Sequence, residues 1–185
     1  MRQVRGILFL DYVRMLKARK SMALPELKPE DFAFLATPIV LDGWYPMESF
    51  ERMGNAILRV VANGQISLVE LWGRYSAGQQ YAANVKLLAP GDPVETLNRF
   101  RVLRETFFDF NALDLIMLHD EEAQIEVHYY MGKAAEEAAS FQTLGFFAAL
   151  LELAGARDVR GTFRQRSWAG DAKTVLQLRW NPPGS

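Results

Sequence analysis

The chain has 185 residues, 50% of them hydrophobic and 23% charged, with a net charge of −1; that is enough for one sizeable core and too little for two comfortable domains. The charge balance excludes a nucleic-acid binder that works through a broadly basic surface. The absence of cysteine excludes disulfides, thiolate catalysis and Cys-ligated metal centres, and a reducing cytoplasm is the expected location.

At the start of the chain an apolar run of four residues is stopped by Asp11, too short for a signal-peptide core and far too short to span a bilayer. Residues 4–19 read either as a short strand or turn at Val4–Leu10 that continues into a helix or, the favoured reading, as helix; the helix runs through Tyr12, Val13 and Leu16, with Arg14, Lys17, Arg19 and Lys20 on its basic face. Pro29 suits the first turn of a short helix, and Thr37-Pro38 ends it, because the residue before proline is pushed out of the helical region. Asp42 to Pro46 is expected as a turn presenting Trp44 and Tyr45. The next helix carries Met47, Phe50, Met53, Ile57, Val60 and Val61. Ser67 with Glu70 forms a capping-box pattern for a helix bearing Leu68, Leu71, Trp72 and Tyr75, where Gly73, Gly78, Ala82 and Ala83 suggest close approach of another backbone. Asp92 is expected to cap a further helix from Pro93 to about Phe108.

After Asn111 the period changes. Leu113–His119 and Gln124–Tyr130 form an expected hairpin around Asp120-Glu121-Glu122. Lys133–Ala154 follows as a long helix, with Ala138, Phe141, Leu144, Phe147, Ala148, Leu150 and Leu151 as its apolar stripe and Gly155 as its left-handed C-cap. Val159–Ser167 and Thr174–Trp180 form a second hairpin turning through Ala169-Gly170-Asp171, and the last strand should bury one face. The expected fold class is α+β: a layer of about five helices plus the long helix, packed on an antiparallel sheet of about four strands, in a single domain over 1–180 with a frayed tail at 181–185.

The run Leu150-Leu-Glu-Leu-Ala-Gly-Ala156, the strand and glycine turn after it, and Leu176-Gln-Leu-Arg-Trp180 resemble the ligand-binding fold shared by heme–nitric-oxide-binding domains, 4-vinyl-reductase-like domains and Bet3-type trafficking subunits. In Val4-Arg-Gly-Ile-Leu-Phe and in Trp44-Tyr45-Pro46 before a helix, the chain also resembles an uncharacterised paralogous family of myxobacteria. The resemblance implies an apolar cavity between helices and sheet that members use for heme, fatty chains or small aromatic ligands, or leave unused. Heme-binding relatives carry their axial histidine on a helix; no expected helix here holds one, so no heme or other cofactor is expected.

The two histidines, His119 and His128, fall at mirror positions near the turn of the first hairpin, where acidic turn residues alone enforce no metal geometry. No nucleophile–base pair, paired carboxylate or phosphate-binding glycine loop is evident, so no catalytic residue is assigned. Trp44, Tyr45, Trp72, Tyr75, Phe100 and Phe107 are the candidate ligand-binding residues, as aromatic walls of a pocket; the competing reading is ordinary core. Arg160, Arg164 and Arg166, joined by Arg179 from the neighbouring strand, are the candidate partner-binding residues, on a segment from Arg157 onward that carries +4 while the rest carries −5; here the competing reading is a solvated strand face. Glu126, His128 and Tyr130 alternate onto one face of the first hairpin in the same way. The leading expectation is a non-enzymatic sensory or regulatory module binding a small apolar or aromatic ligand between helices and sheet. The alternative is an adaptor that binds a protein partner, or a second copy of itself, through the basic hairpin or a sheet edge.

Overall fold

The structure is a computed structural model that describes residues 1–19, 22 and 24–184; Lys20 of the expected basic face and Ser185 of the expected tail lie outside the described residues. Among the described residues are six α-helices and six strands, the strands forming one two-stranded and one four-stranded antiparallel sheet. The chain divides into two compact units, one of Met1–Ile66 with Glu105–Asn111 and the other of Ser67–Arg104 with Ala112–Ser185.

In the first unit β1 (Gln3–Arg5) pairs with β2 (Trp44–Pro46), Val4 opposite Tyr45. The sequence leaves a short strand or turn open at residues 4–10 while favouring helix, and it suggests a turn from Asp42 to Pro46; the ribbon places a strand in each segment, and three-residue strands are too short to display a period of two. Helix α1 (Gly6–Lys17) buries Phe9, Tyr12, Val13 and Leu16, and α3 (Met47–Val60) buries Phe50, Met53, Ile57 and Val60 against it. Tyr12 stacks on Phe50 at 4.0 Å between ring centroids, and Phe9 stacks on Tyr45 at 4.6 Å.

Helix α2 (Pro29–Ala36) starts at Pro29, as its sequence suggests, and Asp31 closes its first turn by accepting a hydrogen bond from the Lys28 amide at 2.8 Å. The same fully buried carboxylate takes a two-pronged bond from Arg52 of α3, Nε to Oδ2 at 2.6 Å and Nη2 to Oδ1 at 2.8 Å. Burial pushes the Asp31 carboxyl up, but hydrogen bonds from Arg52, Lys28 and Ser49 outweigh it and hold it below the ordinary carboxylate range.

The second unit contains α4 (Ile66–Ala83), α5 (Pro93–Leu103), β3 (Leu113–Leu118), β4 (Glu122–Val127), α6 (Lys133–Leu153), β5 (Arg157–Gln165) and β6 (Thr174–Asn181). Asp92 caps α5 through its bond from the Glu95 amide at 2.8 Å, but the helix stops at Leu103 and tightens into a 3₁₀ turn well before Phe108. The sheet order β3-β4-β6-β5 puts the last strand in the middle. Thr174 through Leu178 are therefore all buried, where the sequence suggested one buried face: neighbours on both sides screen even Val175 and Gln177. Phe141 of α6 meets Phe163 of β5 at 5.1 Å, and Phe147 meets Phe100 of α5 at 4.7 Å, so α6 lies between sheet and helices. It ends as its sequence implies: Gly155 has φ +97°, and the Ala156 amide returns to the Leu151 carbonyl at 3.0 Å.

Helices α4 and α6 meet backbone to backbone. A Cβ at Gly73 would overlap the Gln142 carbonyl, and one at Gly145 would overlap the Glu70 carbonyl. Of the residues suspected of allowing such an approach, Gly73 does so; Gly78 has no neighbour within 4 Å of its Cβ position, and Ala82 and Ala83 are exposed. The helix also begins one residue before Ser67, so Ser67 lies inside the first turn and is not its cap.

Urea unfolding of three variants checks these contacts. Gly73→Ala should cost about 1–3 kcal/mol, because carbonyl backbone cannot yield as a side chain can, whereas Gly78→Ala on the same helix should gain up to about 1 kcal/mol from reduced backbone entropy. Asp31→Asn should cost about 3 kcal/mol at neutral pH by removing the buried charge that pairs with Arg52, which keeps only its more exposed bond to Glu30 at 3.2 Å. Because the folded Asp31 pKa is depressed, its stabilisation is complete above the unfolded carboxylate range near ~4 and is lost as pH falls through the folded value. Asp31→Asn should flatten that acid limb in the pH dependence of the unfolding free energy.

Candidate functional site

A surface cleft of about 400 Å³ opens in the second unit where β4 hands the chain to α6, a volume within the range of small-molecule sites. Tyr130, in the left-handed region at φ +57°, turns the chain there. Just before it Tyr129 enters the core, its hydroxyl 2.6 Å from Thr143 Oγ1, while Tyr130 is 64% exposed at the rim. Burial pushes the Tyr129 phenol well up, more than the Thr143 bond lowers it, so it stays protonated. Glu136 fixes the start of α6 by accepting the Met131 amide at 2.9 Å.

Glu126 is the charged centre of the cleft. Its Oε2 accepts from Lys173 Nζ at 2.6 Å, and its Oε1 lies 3.0 Å from His128 Nε2. The His128 ring stacks on Tyr130 with centroids 5.8 Å apart. The opposite wall is the 3₁₀ turn Ser167–Ala169, where Trp168 packs edge-on against Phe163 at 5.0 Å and the Ser167 and Thr174 hydroxyls lie 2.8 Å apart. Apolar Val127, Met131, Trp168 and Ala172 thus alternate with a Lys–carboxylate–His chain. Such a lining can hold the flat or apolar body of a small molecule and orient its polar end.

The alternation of Glu126, His128 and Tyr130 is visible in the sequence. Lys173 and Trp168 join them only through the β4–β6 register, Glu126 opposite Val175 and Val127 opposite Thr174, for which the sequence carries no signal.

The aromatic candidates are distributed over both units. Trp44, 36% exposed, lies under the Arg5 guanidinium, whose Cζ is 4.6 Å from its ring centroid; Tyr45 stacks on Phe9 and its hydroxyl accepts from the Val40 amide at 2.8 Å; Phe107 is buried, its carbonyl accepting from the Arg5 amide at 2.8 Å. In the second unit Tyr75 is 65% exposed, Trp72 is half-buried, and Phe100 packs between Phe146 and Phe147. The crevice that Phe100 lines with Leu97, Leu115, Ile125 and Phe147 has no room for a water molecule.

Of the arginines, Arg160 and Arg179 stand directly opposite each other in the β5–β6 register. Arg164 falls at a bulge between Phe163 and Gln165, and Arg166 follows the end of β5, so the simple alternation stops at Phe163. All four are exposed.

The histidines are not near neighbours. His119 closes the β3–β4 turn, its amide donating to the Glu122 carbonyl at 2.8 Å, while the His128 amide bonds the Ala112 carbonyl at the far end of the hairpin. With six-residue strands between them, they lie about 20 Å apart. This corrects their expected position: only His119 belongs to the turn.

No protein-family model matches the chain, and no curated protein does. Among solved structures, an H-NOX protein of K. algicida in its Fe(II) unliganded form superposes with a TM-score of 0.66 at 11% identity, covering 98% of this chain and 98% of that one. The fold is that of the H-NOX proteins. An H-NOX protein of S. oneidensis in the Fe(II)NO ligation state gives a TM-score of 0.63 at 9% identity over 96% of this chain and 99% of that one.

Among the described residues no group of three or more His, Asp or Glu is placed to hold a metal ion. Zinc added to the protein should leave its melting temperature unchanged, and His119→Ala and His128→Ala should behave alike in that titration. A zinc-dependent rise that either variant abolishes would mean that one imidazole has partners beyond those seen here.

Proposed function

We propose that the chain is a non-enzymatic sensory or regulatory module of the cytoplasm that binds a small molecule. The observation that carries this reading is the H-NOX-like fold over 98% of the chain, an architecture found in a protein with its iron in the Fe(II)NO state. No helix among the described residues is long and apolar enough to cross a membrane.

Heme held by an axial histidine, which that fold implies, does not fit the two histidines of this chain. Both histidines flank the hairpin strands and neither sits on a helix; His119 is exposed in a turn, and the Nε2 of His128 faces the Glu126 carboxylate at 3.0 Å. The ligand we favour is therefore a small organic molecule with an aromatic or apolar body. Within the second unit the cleft is the better place for it than the aromatic set around Phe100, because the Phe100 crevice is closed whereas the cleft has volume, an apolar wall at Trp168 and an oriented charged chain. Lys173 keeps donor capacity beyond its bond to Glu126, which favours an acidic or carbonyl-bearing end on the ligand.

Native mass spectrometry of the purified protein, followed by hemin titration monitored by absorption, tests this. A co-purified small molecule that Trp168→Ala and Lys173→Met remove, with hemin giving no axially ligated spectrum, is the expected outcome. A protein that emerges unliganded and takes hemin stoichiometrically would overturn it.

A further inference from the structure

One end of the four-stranded sheet separates its charges by sign. Glu122, Arg179 and Arg160 occupy a single cross-strand row through β4, β6 and β5, so their side chains leave the same face. That face is turned away from α6, because the residues flanking Arg179, Leu178 and Trp180, are the buried ones. Beyond Glu122 the β3–β4 turn adds Asp120 and Glu121, both exposed. The turn is held firmly, since the Trp180 amide donates to the Glu121 carbonyl at 3.1 Å. From Glu122 to Arg160 the row spans about 10 Å, or two strand spacings, with the acidic turn just beyond it.

The basic half is poorly neutralised from within. Arg179 reaches Glu122 at 3.5 Å, but Gln177 also donates to that carboxylate. Arg160 faces Arg179 directly across the pair, an arrangement of like charges that costs stability. Among the described residues no carboxylate lies within ion-pair distance of Arg160, Arg164 or Arg166. The two acids of the same hairpin are engaged by amides: Asp158 accepts from Asn181 Nδ2 at 2.8 Å, and Asp171 from the Arg166 backbone at 2.6 Å.

We infer that this face is a self-association surface whose occupant is a second copy of the chain. A two-fold axis lying between two such faces and parallel to the strands reverses the row. The acidic turn of each copy then meets Arg160 of the other, twice over. The contact is isologous and closes at a dimer. It matches the wider segregation of charge along the chain, +4 from Arg157 onward against −5 before it. Because the charges are exposed, the association is weak and salt-sensitive. Its charge contacts use none of the cleft residues, although Glu126 leaves the same face four residues further along β4.

Sedimentation equilibrium of the full chain tests it at roughly 0.01 M salt, where the Debye length is ~30 Å, and at ~1 M, where it is ~3 Å. A dimer at low salt should dissociate at high salt. Arg160→Glu, and separately Asp120→Lys with Glu121→Lys, should each weaken low-salt association at least about tenfold, the ~1.4 kcal/mol that loss of the two symmetry-related charge contacts would represent. Mixing the two variants should restore the dimer, because the mixed pair alone regains opposite charges at both contacts. The substituted side chains are exposed, so unfolding midpoints should stay unchanged and show that the variants are folded. A native chain that is monomeric at low salt, or variants whose mixture remains monomeric, would overturn the inference.

Discussion

The reciprocal contact of Gly73 and Gly145 is the constraint on which the second unit depends. Each glycine lies against the other helix's carbonyl, Gly73 against Gln142 and Gly145 against Glu70, so neither position has room for a Cβ. With α4 seated this tightly on one side, α6 presents Leu144, Phe147, Ala148 and Leu151 as buried contacts in more than one direction. The sheet takes one flank through Phe141 and Phe163, and α5 takes another through Phe100. A helix enclosed in this way carries apolar residues around most of its circumference, and its sequence accordingly shows a broad stripe with small residues between.

Much of this architecture can be read from residues 93–181. Asp92-Pro93, the stripe of the long helix, Gly155 and the two hairpins each make a local demand that the fold meets. The position of β6 is not legible in the same way. Alternation of Leu176, Leu178 and Trp180 with Val175, Gln177 and Arg179 suggests a strand with one wet face, and only the order β3-β4-β6-β5 explains why Gln177 is buried. Strand order is a long-range property, and a residue's own neighbours in sequence do not encode it. In the first unit the β1–β2 ribbon leaves no signature for the opposite reason, being too short to express any period.

The cleft is half visible in the sequence. Glu126, His128 and Tyr130 share a face by simple alternation, which turns Tyr129 inward to Thr143, and the chain leaves the strand direction at Tyr130. Their counterparts, Lys173 and Trp168, arrive from a hairpin on the far side of α6 in the chain, placed by register. Phe100 is rich in aromatic neighbours, Phe146 and Phe147, and the crevice it lines has no room for a water molecule.

The central place of β6 also orders the assembly of the sheet in time. Strands β3 and β4 are neighbours in sequence and close a short loop, so their hairpin can form early, yet β5 has no partner in the sheet except β6. Until the residues from Thr174 onward are available, the open edge of β4 shows unpaired amides and carbonyls, and α6 has only half a surface to lie on. During synthesis the chain must pass through that state, with an adhesive edge waiting for the whole of α6 and β5 to emerge before its complement does. The acidic run Asp120-Glu121-Glu122 at the tip and Glu126 along that edge give the waiting hairpin a like-signed coat, a guard against pairing with the same hairpin on a neighbouring nascent chain.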